Sequence, residues 1–272
     1  MTGPPPEACA DAPRRRWQDG RSLDGQRTLA AETPVAIVVN ASSFAVMLAS
    51  PADLADFARG FALSEGIVDR ADEIAAIDIV AQVDGIEARL WVPAARAATL
   101  AERRRHIAGP TGCGLCGIES LGAAVLSPGH CDAAGPQPSP DEIVAAIEAL
   151  ADVQPIGRAT RAVHAAALWR RGLPLIVRED VGRHNALDKL IGAVAQGEID
   201  TASAMLLLSS RVSVEMVHKA AVLGAPLIVA ISAPTSLAVA HAVAARLTLI
   251  AVARADGFEV FTRPERVAWP SA

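Results

Sequence analysis

Two cysteines three residues apart, Cys113 and Cys116 in the run Thr111-Gly-Cys-Gly-Leu-Cys-Gly117, are the side chains of this sequence best suited to covalent chemistry. A thiol attacks only as the thiolate, and its usual pKa of about 8.5 falls in C-x-x-C motifs, at helix N-termini and beside cations. Gly112, Gly114 and Gly117 keep the backbone amides open, and a helix is expected just after the pair, over 118–126. A thiolate so activated can take the terminal sulfur from a persulfide on another protein, hold it and pass it on by exchange. Other chemistries remain open. Zinc bound with His164 or His184 lacks a second C-x-x-C or a paired-histidine motif. A thioredoxin-like dithiol lacks the flanking Trp and the preceding strand. An inert buried pair is at odds with three surrounding glycines. Sulfur handling is the reading we carry forward.

Scarce residue types point to a second place. Positive charge is spelled almost wholly as Arg, so that Lys189 and Lys219 are the only lysines, and Asn40 and Asn185 the only asparagines. Two of these four fall inside Glu179-Asp-Val-Gly-Arg-His-Asn-Ala-Leu-Asp-Lys189. A composition bias that spares Lys and Asn there suggests that those side chains are chemically required. Within that run Asp180 and His184 suit catalysis or a network that holds the loop under a ligand. Lys189 reads as structural, and His218 and Lys219 as surface or capping groups.

Composition bounds the rest. A chain of 272 residues, 51% hydrophobic, can bury one large core or a core with a smaller companion. A formal charge of −5 gives no general attraction to nucleic acid or to an anionic membrane, and no apolar run approaches the length of a membrane span. Four cysteines and no secretory h-region point to a reducing, cytoplasmic setting.

The elements that must position these groups follow from periodicity. Residues 1–30 read as a disordered tail, and 31–108 as a small α+β domain with strands at 35–39, 44–48, 74–80 and 86–92. A helix after Pro51, N-capped by Ser50, presents Leu54, Phe57, Phe61 and Leu63. Residues 109–140 form a cysteine-bearing connection, 141–266 an α/β domain opening with a helix N-capped by Ser139, and 267–272 a C-terminal tail. Strands at 173–177, 204–208, 227–231 and 247–252 alternate with helices at 185–194, 214–223 and 237–245, which predicts a largely parallel sheet covered on both faces. Ligands of such sheets bind beyond the strand C-termini. There stand residues 178–184, Ser209-Ser-Arg211, Ser232-Ala-Pro-Thr-Ser236 and Arg254-Ala-Asp-Gly257. Helix N-termini with Arg183 and Arg211 nearby suit a phosphate-bearing ligand, although Ser209, Ser232 and Thr235 individually read as helix caps.

Taken together, Glu32-Thr-Pro-Val-Ala-Ile-Val-Val-Asn40, Ala58-Arg-Gly-Phe-Ala-Leu-Ser-Glu-Gly-Ile67, the cysteine run, His164-Ala-Ala-Ala-Leu168, residues 179–189, Ser209-Ser-Arg211 with Glu215 and Lys219, and Ser232-Ala-Pro-Thr-Ser-Leu-Ala238 resemble the FdhD formate dehydrogenase accessory sulfurtransferases. The resemblance implies a homodimeric carrier that takes sulfur from a cysteine desulfurase as a persulfide on Cys113, with Cys116 as partner. The acceptor would be the molybdenum cofactor in its bis(molybdopterin guanine dinucleotide) form, which formate dehydrogenase then receives. It implies a cytidine-deaminase-like three-layer α/β domain, and a cofactor segment at Val252, Ala253, Arg254, Ala255, Asp256 and Gly257, which Arg211 would assist. GDP would mimic the cofactor, and no metal would be bound directly. Ala251-Val252 stands where Gly-Phe is usual, so the backbone rather than a side chain is expected to serve there. Deamination is disfavoured because Ala166 fills the position of the deaminase Glu after His164. A non-catalytic chaperone that binds the cofactor or a guanine nucleotide is the alternative.

Overall fold

The computed structural model describes residues 5–96, 131 and 135–270. The segment expected as a tail holds a two-stranded antiparallel ribbon, β1 (Cys9–Gln18) with β2 (Arg21–Ala30), in register from Cys9 opposite Ala30 to Gln18 opposite Arg21. Asp19 and Gly20 turn the chain with φ of 50° and 75°, the paired left-handed geometry of a tight hairpin. Backbone pairing and this turn make the ribbon. Its faces are mostly exposed, so it lacks the alternating apolar pattern that marks a strand, and the Asp-Gly dipeptide was its only signal.

A four-stranded sheet follows, ordered β4-β3-β6-β5, from β3 (Thr33–Val39), β4 (Ser42–Ala49), β5 (Ala76–Gln82) and β6 (Gly85–Trp91). Along β6 alternate residues Ile86, Ala88 and Leu90 are buried, the period-two pattern of a half-covered sheet. Helix α1 (Leu54–Ser64) covers that face with Leu54, Phe57, Ala58 and Phe61. Its N-cap is Asp53 in a left-handed conformation, not Ser50, which is buried and used elsewhere. Asn40 turns β3 into β4 at φ 45° and clamps the end of β6, donating from Nδ2 to the Val92 carbonyl at 2.8 Å and accepting from the Val92 N–H at 2.9 Å.

The second sheet has six strands in the order β12-β11-β10-β9-β7-β8, built from β7 (His164–Trp169), β8 (Ile176–Asp180), β9 (Met205–Leu208), β10 (Leu227–Ala230), β11 (Thr248–Arg254) and β12 (Gly257–Thr262). Here a mostly parallel sheet was expected. Only β9/β10 and β10/β11 are parallel; β7/β8, β7/β9 and β11/β12 are antiparallel, so the sheet is mixed. The added strands β7 and β12 pair with β8 and β11 through short turns, and β7 inserts between β8 and β9, which α4 connects; a strand-helix alternation does not reveal this insertion. All residues of β9 and β10 are buried, since both faces are covered. Helix α2 (Pro140–Asp152) packs Ile143, Ile147 and Leu150 on one face, beside the short α3 (Pro155–Thr160). Helices α4 (Arg183–Gln196), α5 (Val214–Leu223) and α6 (Ser236–Ala244) cover the other. Ser139 caps α2 with a capping box through Glu142, as its sequence predicts. The C-terminal residues expected as a tail also pack: Val267 is buried, Ala268 N–H donates to the Pro138 carbonyl, and Trp269 stacks on Phe258.

The two lobes meet where α1 crosses α4. A Cβ on Gly60 would lie 1.7 Å from the Asp188 carbonyl oxygen, and one on Gly192 would lie 1.9 Å from that of Asp56. These backbones touch because both positions lack a side chain.

Candidate functional site

Strand β8 runs antiparallel to β7 and β7 antiparallel to β9, so β8, β9, β10 and β11 all end at one edge, where β7 and β12 begin. The loops leaving that edge form a ledge. Those after β9 and β10 continue as a parallel bridge between Val212 and Pro234, with the Thr235 N–H donating to the Val212 carbonyl at 3.0 Å. Thr235 caps α6, its Oγ1 accepting from the Ala238 N–H. Ser209 does not cap a helix; its Oγ accepts from the Ala165 N–H at 2.8 Å and pins the start of β7.

The predicted cofactor segment lies on this ledge as a β-hairpin. Ala251 pairs with Glu259 and Arg254 with Gly257, so β11 carries one extra residue there, a bulge, with Ala255 and Asp256 at the turn. Val252 occupies the bulge at φ 53°, a conformation strained for a β-branched residue. Its N–H reaches toward the Ser232 carbonyl at 3.5 Å. Ala253 is buried in the core, while Arg254, Ala255 and Asp256 are exposed. The Arg254 guanidinium folds back onto the Ile231 and Ala253 carbonyls, tying the β10 and β11 loops together. Arg211 is exposed just before α5. Cys113 and Cys116 lie outside the described residues, as does the helix expected over 118–126.

Next to these loops is a cluster of ionisable groups. His164 opens β7 opposite Asp180, and burial with the nearby Arg183 charge lowers its pKa while Asp180 opposes them. His184, in the first turn of α4, is pushed down to about 4 by burial and by the Arg183 and Lys219 charges. It is therefore neutral near pH 7. Burial alone would raise the Glu215 carboxyl. The Ser213 hydroxyl, its own backbone N–H and the charges of His184 and Arg183 offset this and hold it below the usual range. The buried Arg183 Nε has no hydrogen-bond partner among the described residues. Among the described residues no group of three or more His, Cys, Asp or Glu is arranged to hold a metal ion.

Behind the ledge, the run 179–189 forms a clamp. Asp180 and Lys189 are fully buried, 2.7 Å apart. The Asp180 carboxylate accepts from the Ser50 N–H, the Gly182 N–H and Asn185 Nδ2 at 2.9, 2.8 and 3.0 Å. Lys189 donates to the Ser50 and Glu179 carbonyls, Asn185 to the Leu48 carbonyl, and the Val181 N–H to Ser50 Oγ. Every one of these groups ties the end of β4 to β8 and α4. Asp180 is thereby placed in the supporting network and not in contact with solvent.

Lys219 differs from its expected surface position. It is 4% exposed and donates to Ser64 Oγ at 2.7 Å, to Asp188 at 2.8 and 3.0 Å, and to Glu65 at 3.1 Å. Burial opposes its charge, but the Asp188 and Glu65 carboxylates more than compensate and raise its pKa. Ser64 in turn donates to Asp188 at 2.6 Å. This second clamp joins the end of α1 to α4 and α5. Periodicity did not identify Ser64 or Asp188; the scarcity of lysine was the available signal, because a lysine kept inside a core needs a carboxylate beside it. All four scarce residues, Asn40, Asn185, Lys189 and Lys219, thus hold backbone or ion-pair junctions.

Residues 30–268 match the FdhD/NarQ family. The sulfur carrier protein FdhD of Agrobacterium fabrum (strain C58 / ATCC 33970) is 48% identical over 256 residues, covering 93% of this chain and 94% of the relative. The sulfur carrier protein FdhD of Xanthomonas euvesicatoria pv. vesicatoria (strain 85-10) is 47% identical over 255 residues, covering 93% and 90%. The crystal structure of a formate dehydrogenase accessory protein from Desulfotalea psychrophila superposes with a TM-score of 0.72 at 26% identity, over 96% of this chain and 99% of that one.

Proposed function

This chain belongs to the FdhD/NarQ family, and on that premise we propose that it is a sulfur carrier that serves a formate dehydrogenase. The support is the family match over residues 30–268, a range that contains the pair Cys113 and Cys116. The Cys113 thiolate attacks the terminal sulfur of a cysteine desulfurase persulfide. One S–S bond forms as another breaks, and the desulfurase cysteine leaves as thiolate. Delivery of that sulfur as sulfide requires two electrons. Attack of the Cys116 thiolate on the inner sulfur of the Cys113 persulfide supplies them, expels hydrosulfide toward the acceptor and leaves a disulfide that a dithiol reductant reopens.

The acceptor is the molybdenum cofactor in its bis(molybdopterin guanine dinucleotide) form, bound as substrate. The ledge suits its phosphates: Arg211 is exposed beside the N-terminus of α5, Arg254, Ala255 and Asp256 are exposed at the hairpin turn, and Arg183 Nε has no hydrogen-bond partner among the described residues. His184, neutral near pH 7, adds a donor without a charge. We also infer a cytidine-deaminase-like topology for the three-layer lobe. Ala166, buried within β7, offers no carboxylate for deamination.

Incubation with a cysteine desulfurase and radiolabelled cysteine should place one labile sulfur on Cys113. Cys113→Ala should lose it, and Cys116→Ala should load but discharge slowly. Loading of Cys113→Ala at the normal rate overturns the carrier assignment. If that variant also activates formate dehydrogenase fully while Arg211→Ala does not, the chain is instead a chaperone that binds and delivers the cofactor.

A further inference from the structure

We infer that a cavity at the edge of the six-stranded sheet opposite the ledge binds an organic monocarboxylate, free or as the C-terminus of a polypeptide. The cavity, of about 250 Å³, lies where β7 ends and the chain enters β9, and its walls include Trp169, Arg170, Arg171, Leu173, Asp200 and Ser203. None of these residues belongs to the strand-end loops of the ledge.

Two successive arginines enter the cavity from the turn that joins β7 to β8. The Leu173 N–H donates to the Arg170 carbonyl at 3.1 Å and Gly172 takes φ 75°, so the turn is tight and the arginine backbones are fixed. Arg171 is satisfied, because its Nε and Nη2 donate to the two Glu142 carboxylate oxygens at 2.6 and 2.8 Å. Arg170 is not. Its Nε is buried without a hydrogen-bond partner among the described residues. A buried donor left unpaired has given up water without a replacement, and an entering acceptor restores the bond. A guanidinium edge that presents Nε beside a terminal nitrogen meets a carboxylate with two parallel bonds.

The other walls select the class of acid. Trp169 packs on the core, and Leu173 is 50% exposed, so an apolar body has an indole and an isobutyl group to lie against. The exposed Ser203 adds a hydroxyl donor. Asp200, whose Oδ1 accepts from the Ala202 N–H at 3.0 Å, places a carboxylate in the wall. With the Arg171 charge spent on Glu142, Asp200 opposes a dianion such as phosphate more strongly than a monoanion. The volume admits a small acid or one terminal residue of a chain and is too small for a dinucleotide.

Ligand-observed NMR titrations of the full chain at about 0.15 M salt test the inference. The probes are isovalerate for a free acid and N-acetyl-leucine for a polypeptide end, with N-acetyl-leucinamide and orthophosphate as controls. At least one acid should half-saturate the protein below about 10 mM, and the tighter of the two identifies the source of the carboxylate. Arg170→Gln should weaken binding at least about fivefold, as should Arg170→Lys, which keeps the charge but loses the fork. Asp200→Asn should tighten it by about twofold. Arg211→Ala, on the ledge, should leave it unchanged. Circular dichroism checks that each variant is folded. The inference is overturned if neither acid binds below about 10 mM, or if a folded Arg170→Gln stays within about fivefold of wild type. Equal or tighter binding of N-acetyl-leucinamide or orthophosphate overturns it too, and loss of binding in Arg211→Ala would assign the acids to the ledge instead.

Discussion

Lys219→Met should be among the most destabilising single changes available in this chain. The substitution keeps the length of the aliphatic stem but removes the ammonium, leaving Asp188, whose side chain is 2% exposed, with Ser64 Oγ as its remaining side-chain donor and Glu65 without its cation. Breaking a buried pair from one side costs about 3–5 kcal/mol, because the surviving charge is uncompensated. With a urea m-value near 3 kcal/mol/M, the midpoint should fall by about 1 M or more. The loss should also depend on pH. Burial already outweighs Lys219 and Ser64 in the wild type and raises the Asp188 carboxyl, and without the ammonium the folded-state pKa rises further above the unfolded value of about 3.9, so the native variant binds a proton that the unfolded chain releases. The variant therefore loses stability as pH rises from about 4, until Asp188 ionises in the native state. Asp188→Asn combined with Lys219→Met should restore part of the loss and remove this slope. Urea titrations of wild type, both single variants and the double variant, at pH 5 and pH 8, measure the cycle. A loss below about 1 kcal/mol in Lys219→Met, or strictly additive single losses, would refute the buried-pair reasoning.

Gly192→Ala should force α1 and α4 apart, since its Cβ would fall 1.9 Å from the Asp56 carbonyl oxygen; a loss of about 3 kcal/mol or failure to accumulate soluble protein is expected in thermal melts. His184 should make wild type less stable on acidification. Below about pH 6.5 the unfolded chain takes up a proton that the native imidazole accepts only near 4, so between pH 7 and pH 5 wild type should lose about 2 kcal/mol more than His184→Gln in urea titrations. Val252→Gly should relieve the left-handed strain at the β11 bulge and raise the melting temperature, by the equivalent of about 1 kcal/mol.

Much of this molecule can be read locally. Alternation in β6, the unbroken apolar runs of β9 and β10, and the Ser139 capping box each follow from neighbours in the chain, because period and cap geometry are short-range properties. The Thr111–Gly117 run and the strand-end loops are likewise visible as composition, and scarcity alone singled out Asn40, Asn185, Lys189 and Lys219. What those side chains do was decided only in three dimensions. Lys219 reads as a surface residue until α1 brings Ser64 and Glu65 against it across 154 residues or more of chain, and Asp180 reads as a candidate catalyst until the end of β4 covers it. Strand β7 joins the sheet by antiparallel pairing with the distant β9, and β12 by folding straight back on β11, pairings set by backbone hydrogen bonds rather than by the strands' own apolar pattern. Residue type determines that a charge must be neutralised or solvated; only the packing of the two lobes selects the partner that neutralises it.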